Sequence, residues 1–240
     1  MFNALGLITF DPLYFLLVGP AMLLALWAQF RVKSTYHETA QVPARSGLTG
    51  AEAAARLLRA NGITNVGIEQ SEGVLSDHYD PQHKVLRLSP DVFHGTSLAS
   101  LGIAAHEAGH AMQDRERYAP LVLRNGIVPF AAVGGNLASI LFMIGALMMA
   151  SRSAAGQWLM LAAVGLFTLV VVFQLVNLPV EFDASRRANL QLVSSGIVAP
   201  AEAPQVRRVL SAAAWTYIAA TLTAVLTLVY FLIRSQQNSR

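Results

Sequence analysis

Four stretches without a single Asp, Glu, Lys or Arg dominate this 240-residue chain. They cover residues 12–30, 125–151, 153–180 and 209–233. A membrane-spanning helix needs about 20 mainly apolar residues, and each stretch reaches or nearly reaches that length. Only 13% of the residues are charged, against about 25% in ordinary soluble domains, so too little polar sequence remains to cover four buried helices. The sequence therefore predicts transmembrane helices at residues 12–30, 126–150, 156–178 and 212–233.

Lys and Arg residues are concentrated between the first and second predicted spans. Ten lie there, one lies between the second and third spans, four lie between the third and fourth, and two follow the last. Loops enriched in these residues usually face the cytoplasm. The distribution predicts that residues 31–125 and 179–208 are cytoplasmic and that both termini lie on the other side of the membrane.

Composition also limits the classes of function. The predicted spans contain no Asp, Glu, Lys, Arg or His, whereas transporters and channels usually place such groups along an ion pathway. The net charge of +3 gives no indication of a nucleic-acid partner. No cysteine is present, so a metal would be held by histidine and carboxylate. The first span is predicted to be an uncleaved anchor, because no Lys or Arg precedes it and Arg31 and Lys33 follow it.

The segment 31–125 is the only stretch long enough for an extramembrane domain. Thr49 and Glu52 have the spacing of a reciprocal cap, which predicts a helix that runs to about Ala60. Short strands are predicted at 66–69 and 85–88, with turn-forming residues at 77–81 between them. A longer, apolar-rich helix is predicted from Ser97 to about Tyr118.

This longer helix carries the sequence His106-Glu107-Ala108-Gly109-His110. Two histidines four residues apart project from one helix face, so both imidazoles can reach one ion at about 2.0–2.1 Å. Glu107 then lies beside the open coordination position, where it can take a proton from water. Burying these polar side chains among apolar neighbours without a partner would be costly, and one zinc ion supplies that partner. The small Ala108 and Gly109 allow another backbone or a substrate to approach the helix closely.

A catalytic zinc site needs a third protein ligand. The carboxylates that follow the second histidine are Asp114, Glu116, Glu181, Asp183 and Glu202. The first two lie too near in sequence on the same helix, and Glu202 lies between two prolines in a loop predicted to be poorly fixed. Two predicted spans separate Glu181 from the histidines, so the chain returns to the same side of the membrane before it. Glu181 is the predicted third ligand, with Asp183 as the alternative.

Four segments of the chain resemble the bacterial neutral zinc metallopeptidase family typified by YugP. They are DHYDP at 77–81, KVLRLS at 84–89, AAHEAGHAMQ at 104–113 and LPVEFDAS at 178–185. The resemblance covers nearly the whole chain, including the spans, and extends more distantly to HtpX-like and CAAX-prenyl-protease membrane peptidases. It implies a gluzincin-type site in a protein of the bacterial inner membrane. Together with the spans and the charge distribution, it predicts a mainly α protein with four transmembrane helices and a small α+β, gluzincin-like lobe whose active site faces the cytoplasm.

The resemblance also implies residue roles, namely His106, His110 and Glu181 as ligands of one zinc ion and Glu107 as the catalytic base. In the HtpX-like relatives an aspartate four residues after the glutamate ligand orients a zinc-bound histidine, and this chain has Ser185 there. Either Ser185 takes a weaker version of that role, or a carboxylate replaces it. The carboxylates considered are Asp77, Asp80 and Asp183, although Asp183 would face the far side of a helix from Glu181.

Two further predictions concern the substrate. His78 and Tyr79 are candidate donors to the oxyanion that forms during peptide hydrolysis, and a role in turn packing is equally open for them. The residues Val85, Leu86, Arg87 and Leu88 are predicted to form an edge strand. Such a strand could pair with an extended substrate through backbone hydrogen bonds, or it could simply form a sheet over the zinc helix.

Together these features predict a membrane-embedded, zinc-dependent endopeptidase that acts near the cytoplasmic membrane surface. The expected partners are the lipid bilayer and a polypeptide substrate, such as a membrane protein or a misfolded protein, while an oligomer or a regulatory membrane partner stays open. The alternative is a catalytically idle membrane scaffold or assembly factor that keeps zinc for folding. Glu107 argues against this alternative, because a purely structural zinc site does not need it.

Overall fold

The computed structural model describes residues 11–73, 76–151 and 153–237. Arg152 and Arg240, which enter the charge count above, lie outside the described residues, as do most residues of both termini. The described residues form seven helices and three strands. The helices are α1 Pro12–Ala40, α2 Gly50–Ala60, α3 Pro90–Phe93, α4 Leu98–Arg115, α5 Ala119–Ala150, α6 Ala154–Ser194 and α7 Ala203–Gln237. The strands are β1 Gly67–Gln70, β2 His78–Asp80 and β3 Val85–Leu88.

Four helices, α1, α5, α6 and α7, are long and apolar enough to cross a membrane. Large apolar side chains on them are open to the surroundings, and Leu16 and Trp158 are each 74% exposed. Exposed apolar surface on this scale is unusual in a soluble monomer and is expected where lipid is the solvent. The chain is a mainly α membrane protein with a small α+β part, as the sequence predicts.

The helices extend well beyond the uncharged stretches that predicted them. Helix α1 continues past residue 30 to Ala40, and α6 runs from Ala154 through Pro179 to Ser194 without a break. The charged residues mark a change in polarity, but they do not stop a helix, because Lys, Arg and Glu are good helix formers. One continuous helix, α6, therefore carries both an apolar stretch and Glu181.

The chain divides into two compact units. One comprises the described residues of 1–27, 123–178 and 217–240 and is called the apolar unit here. The other comprises residues 28–122 and 179–216 and is called the lobe. The lobe contains α2, α3, α4, the sheet and the parts of the longer helices that carry most of the charged residues.

The lobe has its own hydrophobic core. Helix α2 begins with the predicted capping box, in which the Thr49 hydroxyl accepts from the Glu52 N–H and the Glu52 carboxylate accepts from the Thr49 N–H. Its apolar face packs on α4, and residues of α6 and of the sheet belong to the same core. The large side chains buried in this core are Leu57, Leu86, Leu88, Val92, Leu98, Leu101, Leu192 and Ile197. Each such residue contributes about 1.5–3 kcal/mol of transfer free energy.

The sheet has the strand order β1-β3-β2. Strand β1 pairs parallel with β3, and β2 pairs antiparallel with it, so that Tyr79 lies opposite Leu86. Strands β1 and β3 were predicted to within one residue, but β2 occupies a segment that was predicted as a turn. The turn lies instead just after β2, where the Asp80 carboxylate accepts the N–H groups of Gln82 and His83 and Lys84 has a positive φ of 53°.

A buried ion pair links the two ends of the described chain within the apolar unit. Asp11 is 4% exposed, and its carboxylate accepts from the Tyr230 hydroxyl at 2.7 Å and from Arg234 Nε at 2.7 Å. The carboxylate at the start of α1 therefore neutralises the guanidinium near the end of α7. A buried charge of this kind is tolerated only when it is paired and hydrogen-bonded.

Candidate metal centre

Helix α4 is a largely buried helix that nevertheless carries several polar side chains. The Ser97 hydroxyl caps its first turn by accepting from the Ser100 N–H. Fourteen of its 18 residues are buried, among them Glu107, His110 and Gln113. Because polar groups are rarely buried without partners, the contacts of these side chains indicate what the helix does.

His106 and His110 lie on one face of α4, with their ring centroids 4.8 Å apart. The carboxylate of Glu181, on α6, lies between them. Its Oε2 atom is 3.2 Å from His106 Nε2 and 3.6 Å from His110 Nε2. The structure thus brings together the two predicted histidine ligands and the predicted distant glutamate.

Close contact between α4 and α6 brings the carboxylate of Glu181 near the two histidines. Gly109 faces the backbone of α6, and a Cβ atom added to it would lie 2.8 Å from the carbonyl oxygen of Ala184. No residue larger than glycine fits there without moving the backbone of α6. The close approach predicted for Gly109 is therefore made by another backbone, directly beside His110 in sequence and about one turn from Glu181.

The donor set fits one zinc ion. Tetrahedral ligands at about 2.0–2.1 Å from zinc lie roughly 3.3–3.4 Å from one another, and the two distances to Glu181 Oε2 bracket that value. The three candidate ligand atoms all lie within 4.8 Å of one another. Two imidazoles and one carboxylate are also a donor set that catalytic zinc sites use with the fourth position open.

The charges of this group are strongly coupled. Burial raises the pKa of Glu181, but the hydrogen bonds from His106 and His110 outweigh burial and hold that pKa below its ordinary value. Burial lowers the pKa of His110, but the carboxylates of Glu181 and Glu107 outweigh it and raise that pKa. A cation is therefore favoured at the centre of the group, and a divalent metal would take the place of a proton.

Glu107 is 8% exposed and follows the first histidine directly. Its negative charge helps to raise the pKa of His110 and, together with burial, the pKa of Asp77. The carboxylate of Glu107 therefore acts on the same small region as the three candidate ligands. Asp77 itself is held by Ser89, whose N–H and hydroxyl both donate to it.

Each candidate histidine ligand has a partner for its second ring nitrogen, and neither partner is a carboxylate. Ser185 Oγ lies 3.1 Å from His106 Nδ1, which is the contact that the predicted role of Ser185 requires. Gln113 Oε1 lies 3.0 Å from His110 Nδ1. Such partners fix the ring orientation of metal-binding histidines.

Gln113 was not singled out from the sequence. It is fully buried, and its Nε2 donates to the carbonyl of Val180 at 2.8 Å and to Asp183 Oδ2 at 3.0 Å. The local signal was its position three residues after His110 on the same helix, but its partners on α6 lie 67 and 70 residues away.

Asp183 faces α4 through Gln113, rather than the far side of α6 as predicted. It accepts from Arg187 Nε at 2.5 Å and also pairs with Arg186. Burial raises the pKa of Asp183, but the bonds from Gln113, Arg187 and Arg186 hold it below its ordinary value. Asp183 was the predicted alternative to Glu181 as the third ligand, but it is not in the candidate metal group.

Other predicted residues are engaged elsewhere. The hydroxyl of Tyr79 donates to Asp114 of α4 at 2.6 Å. Because side chains alternate along a strand, His78 lies on the opposite sheet face, and its Nδ1 contacts the Ser76 carbonyl at 2.8 Å. These contacts do not join His78 to the metal group, and its oxyanion role stays a prediction. The carboxylate of Asp80 forms hydrogen bonds with Arg87 and His83 rather than with a candidate ligand.

Glu202 is firmly held, in contrast to the predicted loose loop. It is 9% exposed, and its carboxylate accepts the N–H groups of Arg45 at 2.9 Å and Ala199 at 2.8 Å. It therefore ties the turn before α7 to the segment after α1. It is not part of the candidate metal group.

The strand from Val85 to Leu88 is central rather than at an edge. All four of its residues are in register with β1 on one side, and Val85, Leu86 and Arg87 are in register with β2 on the other. Its backbone groups are therefore already engaged, and the predicted addition of a substrate strand to it is wrong. Its alternative role, forming a sheet beside the helix of the two histidines, is the one observed.

The chain is similar to known proteins. Residues 14–236 match the family described as “putative neutral zinc metallopeptidase”. The chain belongs to this family. It is also 42% identical over 221 residues to a Bacillus subtilis (strain 168) protein named “Putative membrane protease YugP”, across 92% of this chain and 96% of that protein. No solved structure gives a significant match.

The family name implies zinc. Membership agrees with the resemblance found in the sequence, and the matched residues include both the histidines of α4 and the glutamate of α6. Neither match assigns a role to any residue.

Proposed function

We propose that this protein is a membrane-embedded, zinc-dependent endopeptidase that hydrolyses peptide bonds near the cytoplasmic membrane surface. The observation that carries the proposal is the convergence of His106, His110 and Glu181 from two helices, with the buried Glu107 beside them. Membership of a zinc metallopeptidase family supports the same conclusion.

The three ligands would hold one zinc ion, and Glu107 would move protons beside it. A bound zinc ion supplies Lewis acidity, which polarises a substrate carbonyl and makes a water molecule more acidic. Glu107 takes a proton from that water on its carboxylate and passes it to the leaving amine. Ser185 and Gln113 hold the two imidazoles in the orientation that points Nε2 toward the metal position.

An extended substrate can pair with β2, because β3 is engaged on both sides and β2 is paired with β3 alone in the described sheet. Strand β2 also contacts α4, the helix that carries Glu107. Pairing through backbone groups tolerates many side chains. A polypeptide substrate, such as a membrane protein or a misfolded protein, is therefore the proposed class.

The proposed orientation rests on the positive charges that flank the spans. The lobe contains Arg31, Lys33 and most of the remaining Lys and Arg residues. By the rule that such segments stay in the cytoplasm, the lobe and its metal group face that side of the bacterial inner membrane.

The test compares wild-type protein with Glu107→Gln in detergent, using an unfolded polypeptide such as casein and measuring both hydrolysis and bound zinc. We expect Glu107→Gln to retain zinc and to lose hydrolysis by a factor of about 10²–10⁴, the usual contribution of a general base. The matched control is Glu69→Gln, an exposed glutamate on β1, which should remain fully active. Equal activity of wild type and Glu107→Gln would remove Glu107 as the base, and a zinc-loaded but inactive wild type would favour the scaffold.

A further inference from the structure

The hydrogen bonds of Gln113 leave only one orientation for its side-chain amide. Its nitrogen has two hydrogens, and two acceptors face it, the carbonyl oxygen of Val180 at 2.8 Å and Asp183 Oδ2 at 3.0 Å. A carbonyl and a carboxylate can only accept hydrogen bonds. The amide nitrogen must therefore point toward α6, and the amide oxygen must point toward His110.

This orientation decides which ring nitrogen of His110 carries the proton. The Gln113 oxygen lies 3.0 Å from His110 Nδ1 and has no hydrogen to give. Nδ1 must therefore be the donor. In a neutral imidazole the other nitrogen, Nε2, then has a free lone pair, and Nε2 is the atom that faces Glu181 at 3.6 Å. A metal needs that lone pair.

Asp183 keeps Gln113 in this orientation because an ionised carboxylate has no hydrogen to donate, so either of its oxygens can only accept a hydrogen bond from Gln113. Two guanidinium groups contact it, those of Arg186 and Arg187. Arg187 is in turn paired with Glu116 at 2.8 Å. Asp183 Oδ1 contacts Arg186, and Oδ2 accepts from both Arg187 and Gln113. With cations on both of its oxygens, the carboxylate stays ionised and presents only an acceptor to Gln113.

We propose that Gln113 and Asp183 are positioning residues that lock His110 in the Nδ1–H tautomer and thereby set the zinc affinity of the site. This inference rests on the proposed function, because it takes the ion held by His106, His110 and Glu181 to be zinc. In many metal sites a carboxylate contacts the histidine directly. In this protein the neutral amide of Gln113 lies between His110 and the carboxylate of Asp183.

Alternatively, Gln113 and Asp183 could have only a structural role and connect α4 to α6. Any substitution that weakens this connection would then lower stability and zinc affinity together. The tautomer account predicts that the two properties separate when the acceptor facing His110 is restored by other means.

The decisive variants are Gln113→Met and the double variant Gln113→Glu with Asp183→Asn, and Asp183→Asn alone is their control. In Asp183→Asn the asparagine oxygen can take the place of Oδ2, which accepts from both Gln113 and Arg187, so the amide of Gln113 keeps its orientation. In the double variant the new glutamate has no hydrogen to offer Nδ1, accepts a hydrogen bond from the new asparagine, and restores the charge that Asp183→Asn removed. It leaves the carbonyl of Val180 without its donor, so stability should not recover.

Zinc affinity is measured by competition with a chromophoric chelator, stability by thermal unfolding, and site geometry by the visible spectrum of the cobalt-substituted protein. We expect Gln113→Met to bind zinc about 10–100-fold more weakly, as losses of such partners usually do, and Asp183→Asn to bind zinc nearly as tightly as wild type. The double variant should recover most of the zinc affinity and the wild-type cobalt spectrum, while its unfolding temperature stays low. The matched control, Asp114→Asn, breaks contacts of α4 with Lys84 and Tyr79 and should leave zinc affinity unchanged.

Gln113→Met removes the amide at nearly constant volume, so it tests the acceptor for His110 Nδ1 without opening a cavity. We expect no rescue of its zinc affinity by Asp183→Asn. Wild-type zinc affinity in Gln113→Met would overturn the inference, and so would a double variant whose affinity stays as low as its stability. A wild-type protein that binds no zinc would instead contradict the proposed function.

Discussion

Adding one methyl group at Gly109 should separate the two halves of the metal centre. In the variant Gly109→Ala the new Cβ would lie 2.8 Å from the Ala184 carbonyl oxygen and 3.3 Å from the Ala184 Cα and carbonyl carbon. All of these are backbone atoms, so no side chain can rotate away. Helix α6 must therefore move relative to α4, and Glu181 must move with it.

The size of the movement follows from these contacts. Ordinary van der Waals contact begins at 3.4 Å, so the helices must separate by about 0.6 Å at this point. Metal–ligand distances tolerate only about ±0.2 Å. We therefore expect zinc affinity to fall by at least about tenfold, which is about 1.4 kcal/mol. Crowding of the core costs about 1–3 kcal/mol of stability, of which the better helix propensity of alanine returns about 1 kcal/mol.

Gly102→Ala is the matched control for this prediction. Gly102 is buried in the same helix, and its replacement gains the same helix propensity. Its added Cβ would lie 3.1 Å from Val206 Cγ1, a side-chain atom that can shift by a few tenths of an ångström. This control should keep zinc affinity within about twofold of wild type.

The assay is competition for zinc against a chromophoric chelator, with purified full-length protein in detergent and thermal unfolding as the measure of stability. The cobalt-substituted proteins give a second readout, because the visible spectrum reports ligand geometry. If Gly109→Ala bound zinc as tightly as Gly102→Ala, with an unchanged cobalt spectrum, then contact between α4 and α6 would not set the distance between the ligands. That result would contradict the prediction for Gly109→Ala.

Three further outcomes can be checked with the same preparations. Ser185→Ala removes the partner of His106 Nδ1 at 3.1 Å and should weaken zinc binding by about tenfold; unchanged affinity would show that this contact does not orient the ring. Removal of zinc with a chelator should lower the unfolding temperature, since zinc at 100 times its Kd stabilises the folded state by about 2.7 kcal/mol; an unchanged temperature would mean that the folded state holds no zinc. Asp11→Asn weakens the pairing with Arg234 and Tyr230 and should lower the unfolding temperature by several degrees with zinc affinity unchanged, a result that a parallel loss of zinc would contradict.

The helical part of the fold could be predicted because it depends on composition over long segments. The four apolar stretches each became a helix, and the charges that follow them marked the change in polarity. The helix ends could not be predicted in the same way. Helix α6 passes Pro179 and continues to Ser194, because helix ends depend on capping groups and tertiary contacts rather than on polarity.

The sheet was harder to predict, because its strands are short. β2 has three residues, too few for alternation to be visible, and it is held by pairing with β3 and by the bond from Ser89 to Asp77 before it. The position of β3 in the sheet depends on β2. Missing β2 therefore turned a central strand into a predicted edge strand.

The candidate ligands divide in the same way between local and distant information. His106 and His110 follow from a spacing within one helix, and Glu181 followed from counting spans and from the family resemblance. Gln113 carried only the local signal of its position three residues after His110, because its other partners, Val180 and Asp183, lie in another helix. Contacts between helices decide the partners of the ligands, and a single sequence does not display them.

The three ligands join segments of the chain that lie far apart. His106 and Glu181 are separated by 75 positions in sequence, and the chain has no cysteine with which to form a covalent bridge. A bound metal would close this loop as a disulfide does, and closing a loop of that length is worth about 4 kcal/mol by the chain-entropy argument. Unlike a disulfide, such a link depends on the concentration of free zinc rather than on the redox state of the compartment. The cohesion of the lobe would then vary with the metal supply of the cell.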